Sequence, residues 1–312
     1  MALLIDKIKD YLTAPPCPQI VLQLSSFSIS AIRLAVKERT IKQYAHLALP
    51  AGLVEPHFDR KNLSAAATLS GLIKKGLKGL NFSGETAACL IPEACQKVFV
   101  FSFESFPPSE REKEKLLRWR IKKQMPVLPE ENRLSYQVMT SSSSVKVLVS
   151  LAKTAVLQEY EDLFAGLGLE VGIMTSPALS LLNLIDWERE KDFMAANIEE
   201  DSVSFAAVTQ SELMLFRFKP FAIEPQNLIQ AKQKIEMVIK EIDNTVHFIE
   251  DREKRRVHSL WLRSSLGMGQ EEVISQLTDK FSLAIRPVES PLLAEVRASD
   301  RSILTPLAGQ VP

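Results

Sequence analysis

Ile20–Val36 reads IVLQLSSFSISAIRLAV, two aliphatic and β-branched runs joined by a short serine-rich turn. The first run is apolar at nearly every position, as in a strand buried on both faces, and the turn predicts an antiparallel partner. Phe193–Phe218, FMAANIEEDSVSFAAVTQSELMLFRF, repeats this order as strand, polar turn, strand, turn and strand. Gln23 and Asn197 hold equivalent places, each one residue before its turn begins. Such a unit at the head of each half predicts two related domains facing one another across a cleft. A ligand would be held there between the two turns.

With 312 residues, 46% of them apolar, the chain can fill two cores of ordinary domain size. Lys plus Arg and Asp plus Glu both number 38, so no net field calls for nucleic acid or an acidic partner. Cys17, Cys89 and Cys95 are odd in number and too far apart for a metal knuckle, which points to a reducing compartment. No run approaches the roughly 20 apolar residues that span a bilayer. The start, MALLIDKIKDYL, is too short and too charged for a signal peptide. A soluble cytoplasmic protein is expected. Only 11 glycines occur, about half the usual share, which argues against glycine-lined phosphate loops.

Residues 1–13 place Leu4, Ile5, Ile8 and Leu12 on one helical face. That helix either packs on its own domain or docks on a membrane or partner, and Pro15, Pro16 and Pro18 follow as a stiff spacer through residue 18. The first domain opens over 19–94. After the hairpin come a strand at Ile41–Leu49, a helix capped by Asn62 or Ser64 and running to Lys78, and a strand at Thr86–Ile91. Lys97–Phe103 begins a βαββαβ rhythm. A helix at 108–123, strands at Leu134–Met139 and Val145–Ala152 around the serine loop Ser141–Ser144, a helix at Thr154–Leu167 and a strand at Glu170–Met174 complete it. This predicts an inserted subdomain over 95–174. Residues 175–190 return to the first domain, and 191–312 form the second. Its elements are the Phe193–Phe218 unit, a long helix at Pro225–Asp251, a strand at Val257–Leu262, a helix at Gln270–Phe281, a strand at Ala284–Pro287 and a helix at Ile303–Ala308.

Met125-Pro126-Val127-Leu128-Pro129-Glu130-Glu131, followed by Leu134, Tyr136 and Gln137, resembles a signature of the PilM family. These are actin-like cytoplasmic proteins of type IV pilus assembly, related to the cell-division protein FtsA. Val147–Met174 resembles the family's following strand, helix and strand. Pro18–Leu34 sits where the family has the run vGIDIGSSSVKAVEL. The resemblance spans about 18–310 and implies an actin-like α/β fold of two domains, the first carrying the inserted subdomain. It also implies a partner, the cytosolic N-terminal tail of a PilN-like single-pass inner-membrane protein, bound in a groove beside that subdomain. Pro126, Leu128, Pro129 and Tyr136 are the residues this places at the groove. Other pilus or secretion proteins would assemble on the same body at the inner face of the cytoplasmic membrane, and self-association stays open.

The actin-type site needs an aspartate on the first strand to orient metal-bound water. It also needs a following glycine, so that backbone N–H groups can approach phosphate. Here Gln23 stands in the aspartate position, Ser25 in the glycine position and Ser30 in that of the phosphate-side lysine; Ser26 and Ser28 alone keep the serine run. The second loop reads Asn197-Ile198-Glu199-Glu200-Asp201. Both acidic positions have become amides, and the metal loses its charged second shell. The remaining carboxylates face the phosphate region, where like charges at about 4 Å repel by roughly 1 kcal/mol even in water. The adenosine loop, Leu262-Arg263-Ser264-Ser265-Leu266-Gly267, has lost its central glycines, so Ser264 and Gly267 mark a degenerate third loop. The expectation is a pseudo-ATPase scaffold using neither ATP nor magnesium. The alternatives are an active actin-like ATPase or polymer that holds ATP by non-standard contacts, and a peripheral membrane protein anchored through residues 1–13.

No catalytic constellation is evident. His46, His57, His247 and His258 lack ligand spacing, and the charged helix ending in LLRWRIKKQM reads as a solvated face, because nucleic acid would want interleaved aromatics. Asp251–Arg256 reads as cations settling the carbonyl end of the long helix.

Overall fold

The computed structural model describes residues 17–82, 84–140, 145–221 and 231–311. The helix expected over 1–13, Pro15, Pro16, the serine loop and the first turn of the long helix lie outside the described residues.

β1 (Ile20–Leu24) is buried at all five positions and pairs antiparallel with β2 (Ser28–Ala35), which pairs with β3 (Thr40–Ala48). α1 (Ala66–Gly76) leads to β4 (Glu85–Leu90), parallel to β1 on its other side. Neither expected residue caps α1. Asn62 is buried and its side chain donates to the carbonyls of His57 and Arg60, while Ser64 Oγ donates to Gly52 O at 2.6 Å. Loop closure has taken both polar groups that could have capped the helix.

The inserted elements are β5 (Gln96–Phe103), α2 (Glu110–Gln124), β6 (Asn132–Thr140) and β7 (Val145–Lys153). They form their own antiparallel sheet in the order β5-β7-β6, with Leu117 and Ile121 of α2 packed on Phe101, Val147 and Val149. The next helix and strand, α3 (Thr154–Ala165) and β8 (Leu169–Thr175), were expected in the same unit but belong to the first domain. β8 pairs parallel with β4, and Val156, Tyr160 and Phe164 of α3 are buried among Ile20, Leu22 and Leu24. The expected βαββαβ insertion over 95–174 therefore contracts to a βαββ unit at Gln96–Lys153. A parallel strand needs a helical crossover, and α3 supplies it for β8.

α4 (Pro177–Leu181) and the short α5 (Trp187–Glu190) lead to β9 (Phe193–Ile198), β10 (Ser202–Thr209) and β11 (Glu212–Pro220). α6 (Ala231–Glu253), β12 (Ser259–Ser264), α7 (Gln270–Thr278), β13 (Ala284–Pro287) and α8 (Ala298–Ala308) complete the chain. The first sheet runs β3-β2-β1-β4-β8 and the second β11-β10-β9-β12-β13, with the same antiparallel and parallel neighbours at each place. The duplication expected from the two hairpins is thus present strand for strand.

Each half lends a helix to the other's sheet. Leu304 and Leu307 of α8 pack on Val21, Ile32 and Leu90, while Leu181 and Leu182 pack on Phe193, Ala195 and Ala206. The two helices meet where Ser180 Oγ donates to Pro306 O at 2.6 Å and Asn183 Nδ2 to Gly309 O at 2.8 Å. Gly309 is needed there, since a Cβ would lie 2.1 Å from Ser180 O. Val100, Met139 and Leu148 of the insertion also pack against Leu181 and Phe216, so the inserted sheet braces both halves.

Candidate functional site

The two matched turns face one another and line a cavity of about 340 Å³ between the domains. In the first turn Ser25 N donates to Ser28 O at 2.8 Å; in the second Glu199 N donates to Ser202 O at 2.9 Å. The Ser25 hydroxyl then accepts from the backbone N–H of Phe27 (3.3 Å) and Ser28 (3.0 Å). A phosphate loop aims such N–H groups at its ligand; here the loop's own serine engages them.

Glu199 is the centre of the cleft and only 8% exposed. Its carboxylate accepts from Gln23 Nε2 at 3.0 Å, Asn197 Nδ2 at 3.3 Å and Ser265 Oγ at 2.9 Å, and from the Arg263 guanidinium. Those donors come from β1, β9, β12 and the loop after β12, the coordination that an anion bound between the domains would require. Ser26 Oγ donates to Asp201 across the same gap, so both turns are joined directly.

Arg263 is 1% exposed and ties further parts together. Its Nη1 donates to Asn197 Oδ1 at 3.1 Å, and its Nε to Ser302 O at 2.7 Å, just ahead of the cavity-lining Ile303. Lys234 of α6 pairs with Glu200 at 2.8 Å. The carboxylates of this turn were expected to face the phosphate region and repel phosphate there. Two of the three instead carry a cation, and Asp201 accepts from Ser26 and Ser202. Repulsion is therefore weaker than expected, and the groups that would grip phosphate are already engaged.

Of the residues singled out from sequence, Gln23, Ser25, Ser26 and Glu199 line the cavity, with Ser28 and Ser30 beside them. Asn197 lies buried behind Glu199. Ser264 and Gly267 do not line it. Ser264 turns its hydroxyl to Leu266 N, and Gly267 is exposed with open space around it. Ser265 takes the place expected of Ser264. Arg263, Lys234 and His46, whose Nδ1 lies 3.0 Å from Ser30 Oγ, were not singled out. Among the described residues no group of three or more His, Cys, Asp or Glu is placed to hold a metal ion.

Behind the cleft, Glu93 is 3% exposed and accepts from Ala178 N at 2.7 Å. Burial, reinforced by the nearby charges of Glu199 and Asp201, pushes its carboxyl up to about 8. Asp201 is also raised, chiefly by burial and against the hydrogen bonds from Ser26 and Ser202.

A second cavity of about 340 Å³ runs beside the insertion, between β8 (Val171, Gly172, Met174), Leu157 of α3, and Leu134 and Ser135 of β6. β8 is the edge of its sheet, and Gly172 is the extra residue of a bulge opposite Ala87 and Ala88. Gln96 also lines this groove. It is 8% exposed, its Oε1 accepts from Ser150 Oγ at 2.6 Å, and its Nε2 has no partner among the described residues. Pro126, Leu128, Pro129 and Tyr136 do not line it. Tyr136 packs edge-on to Phe106 with its hydroxyl on Glu110, Leu128 joins the insertion core, and Pro126 is exposed.

No family model and no curated protein matches the chain. Solved structures do. A PilM–PilN type IV pilus biogenesis complex is similar with a TM-score of 0.77 at 16% identity, over 95% of this chain and 98% of that one. The cytoplasmic domain of EpsL, an inner-membrane component of the type II secretion system of Vibrio cholerae, gives 0.52 at 10% identity, over 93% of each chain. A Bacteroides thetaiotaomicron protein with an actin-like ATPase fold and unknown function gives 0.51 at 12%, over 87% of this chain and 91% of that one. The chain has an actin-like two-domain α/β fold.

Proposed function

We propose that this chain is an actin-like scaffold of a type IV pilus or related secretion-system assembly, working at the inner face of the cytoplasmic membrane through its partners. Its nucleotide cleft is a closed relic: Glu199 supplies the anion, and the two turns that would open around a triphosphate are bonded to each other. Its working site is the groove beside the insertion, which takes the extended cytosolic tail of a PilN-like membrane protein.

The observation that carries the second part is the Gln96 amide. A buried donor without an acceptor costs about 1–3 kcal/mol, and a peptide carbonyl laid along the free edge of β8 would satisfy it once the groove parts enough to uncover the amide, which solvent does not reach as it stands. Edge addition of this kind draws affinity from main-chain hydrogen bonds and specificity from alternate side-chain pockets. The aliphatic floor of Leu134, Leu157, Val171 and Met174 suits an apolar side chain.

The test is calorimetric titration of the full chain with a synthetic N-terminal peptide of the PilN-like protein from the same organism. Saturable binding is expected. Gln96→Met, close in size but without the donor, should weaken it about fivefold, the equivalent of one net hydrogen bond of about 1 kcal/mol. No binding by the native chain would remove the proposal.

A further inference from the structure

The outward face of α2 and the loop after it hold a second surface that neither cavity uses. With Leu117 and Ile121 turned into the insertion core, the helical repeat puts Lys115, Trp119, Lys122 and Lys123 on the opposite side. Trp119 is 51% exposed, with Lys123 Nζ 3.8 Å from the centre of its ring. Val127, at the tip of the loop, is 86% exposed. Lys113 and Arg118 are neutralised by Glu110 and Glu114, but Arg111, Lys115 and Lys122 have no carboxylate partner among the described residues. Glu112 is the acid on this face, and Glu130 and Glu131 follow the loop. Between Lys115 and Pro129 there is no acid at all.

The chemistry selects among partners. Single-stranded nucleic acid would want several stacked aromatics, and Trp119 is alone on this face. A peptide would want a concavity, whereas this is a convex helix flank ending in a protruding loop, and neither cavity described above is lined by it. A flat anionic interface meets a convex surface that offers cations, an amphipathic indole and an exposed aliphatic tip. We propose that Lys115, Trp119, Lys122, Lys123 and Val127 rest on the headgroups of an anionic lipid bilayer, with Trp119 and Val127 entering the interface. This contact goes beyond the groove proposed for the peptide and does not depend on it. It would also orient the insertion toward the membrane.

The test uses the full chain with extruded vesicles of phosphatidylcholine alone, or with about one-third phosphatidylglycerol, read by co-sedimentation and tryptophan emission. The native chain should bind the anionic vesicles only, with a blue shift in emission, and release in about 1 M salt, where the Debye length is about 3 Å. Lys122→Glu with Lys123→Glu should weaken binding at least tenfold, since each cation near such a surface contributes severalfold. Trp119→Ala should abolish the blue shift, because Trp187 and Trp261 are half-buried elsewhere. Ile5→Glu with Ile8→Glu should bind as the native chain does. Trp119, Lys122 and Lys123 are exposed side chains, so an unchanged melting temperature should verify folding of the α2 variants. Three results would overturn the proposal: no association with anionic vesicles, association unchanged by the α2 substitutions, or loss only in the Ile5/Ile8 variant. Capture by a poly-glutamate peptide without vesicle binding would reassign the surface to an acidic protein.

Discussion

Replacing Arg263 with methionine should lower the unfolding free energy by about 3–5 kcal/mol, the usual consequence of stranding one member of a buried ion pair. The side chain is 1% exposed and serves Glu199, Asn197 and the Ser302 carbonyl together. Methionine keeps the volume and removes every donor. Glu199 would then hold its charge on Gln23, Asn197 and Ser265 alone, and the Asn197 and Ser302 acceptors would be orphaned. Urea unfolding with the midpoint and slope fitted separately measures the loss. A second variant separates charge from packing: adding Glu199→Gln removes the stranded carboxylate, and at least half of the lost stability should return. Hydrogen exchange should quicken at Ser25–Ser28 and Ser265–Leu266, where the turns are joined.

Glu93→Gln should stabilise the protein at neutral and alkaline pH. The carboxyl is raised in the fold to about 8 by burial, then by Glu199 and Asp201, against an ordinary value of 4.5. The native state therefore keeps a proton that the unfolded chain releases above pH 4.5. Stability contributed by this group is complete below that value and is lost as pH rises toward 8, at up to about 1.4 kcal/mol per pH unit. Asp201, raised in the same sense, steepens the acid end of that decline. Glutamine reproduces the neutral acid and keeps an acceptor for Ala178 N. Its stability should lose the Glu93 slope, keep only the Asp201 decline at the acid end, and exceed the native value by roughly 3–5 kcal/mol near pH 8. Equal pH slopes in the two proteins would show that Glu93 is ionised in the fold.

Both of these residues escaped a reading of the sequence, and the reasons are physical. Arg263 ends the run Leu260-Trp261-Leu262, where an arginine is ordinarily taken as the end of a strand surfacing into solvent. Its partner, Glu199, is 64 residues away. The signal available was an arginine closing an apolar strand in a half whose first turn carries Glu199-Glu200-Asp201. Glu93 sits between Pro92 and Ala94 in an otherwise apolar stretch, which marks it as buried but says nothing of its neighbours. The hairpins were legible because alternation, continuous burial and turn residues are local properties. The assignment of β8 was not: a period reveals a strand, not the sheet that it joins. Gln23 and Asn197 were paired correctly by position, yet the bonds each makes to Glu199 depend on how two distant turns meet.

On the proposed reading, Glu199 fills the anion place of an actin-like cleft whose turns are bonded shut. The decisive measurement is calorimetric titration of the full chain with ATP and magnesium, up to about 1 mM nucleotide. No saturable heat and an unchanged melting temperature are predicted. Saturable binding with a Kd near 10 µM, which at that concentration would add about 2.7 kcal/mol of stability, would contradict the claim and restore the cleft as a nucleotide site.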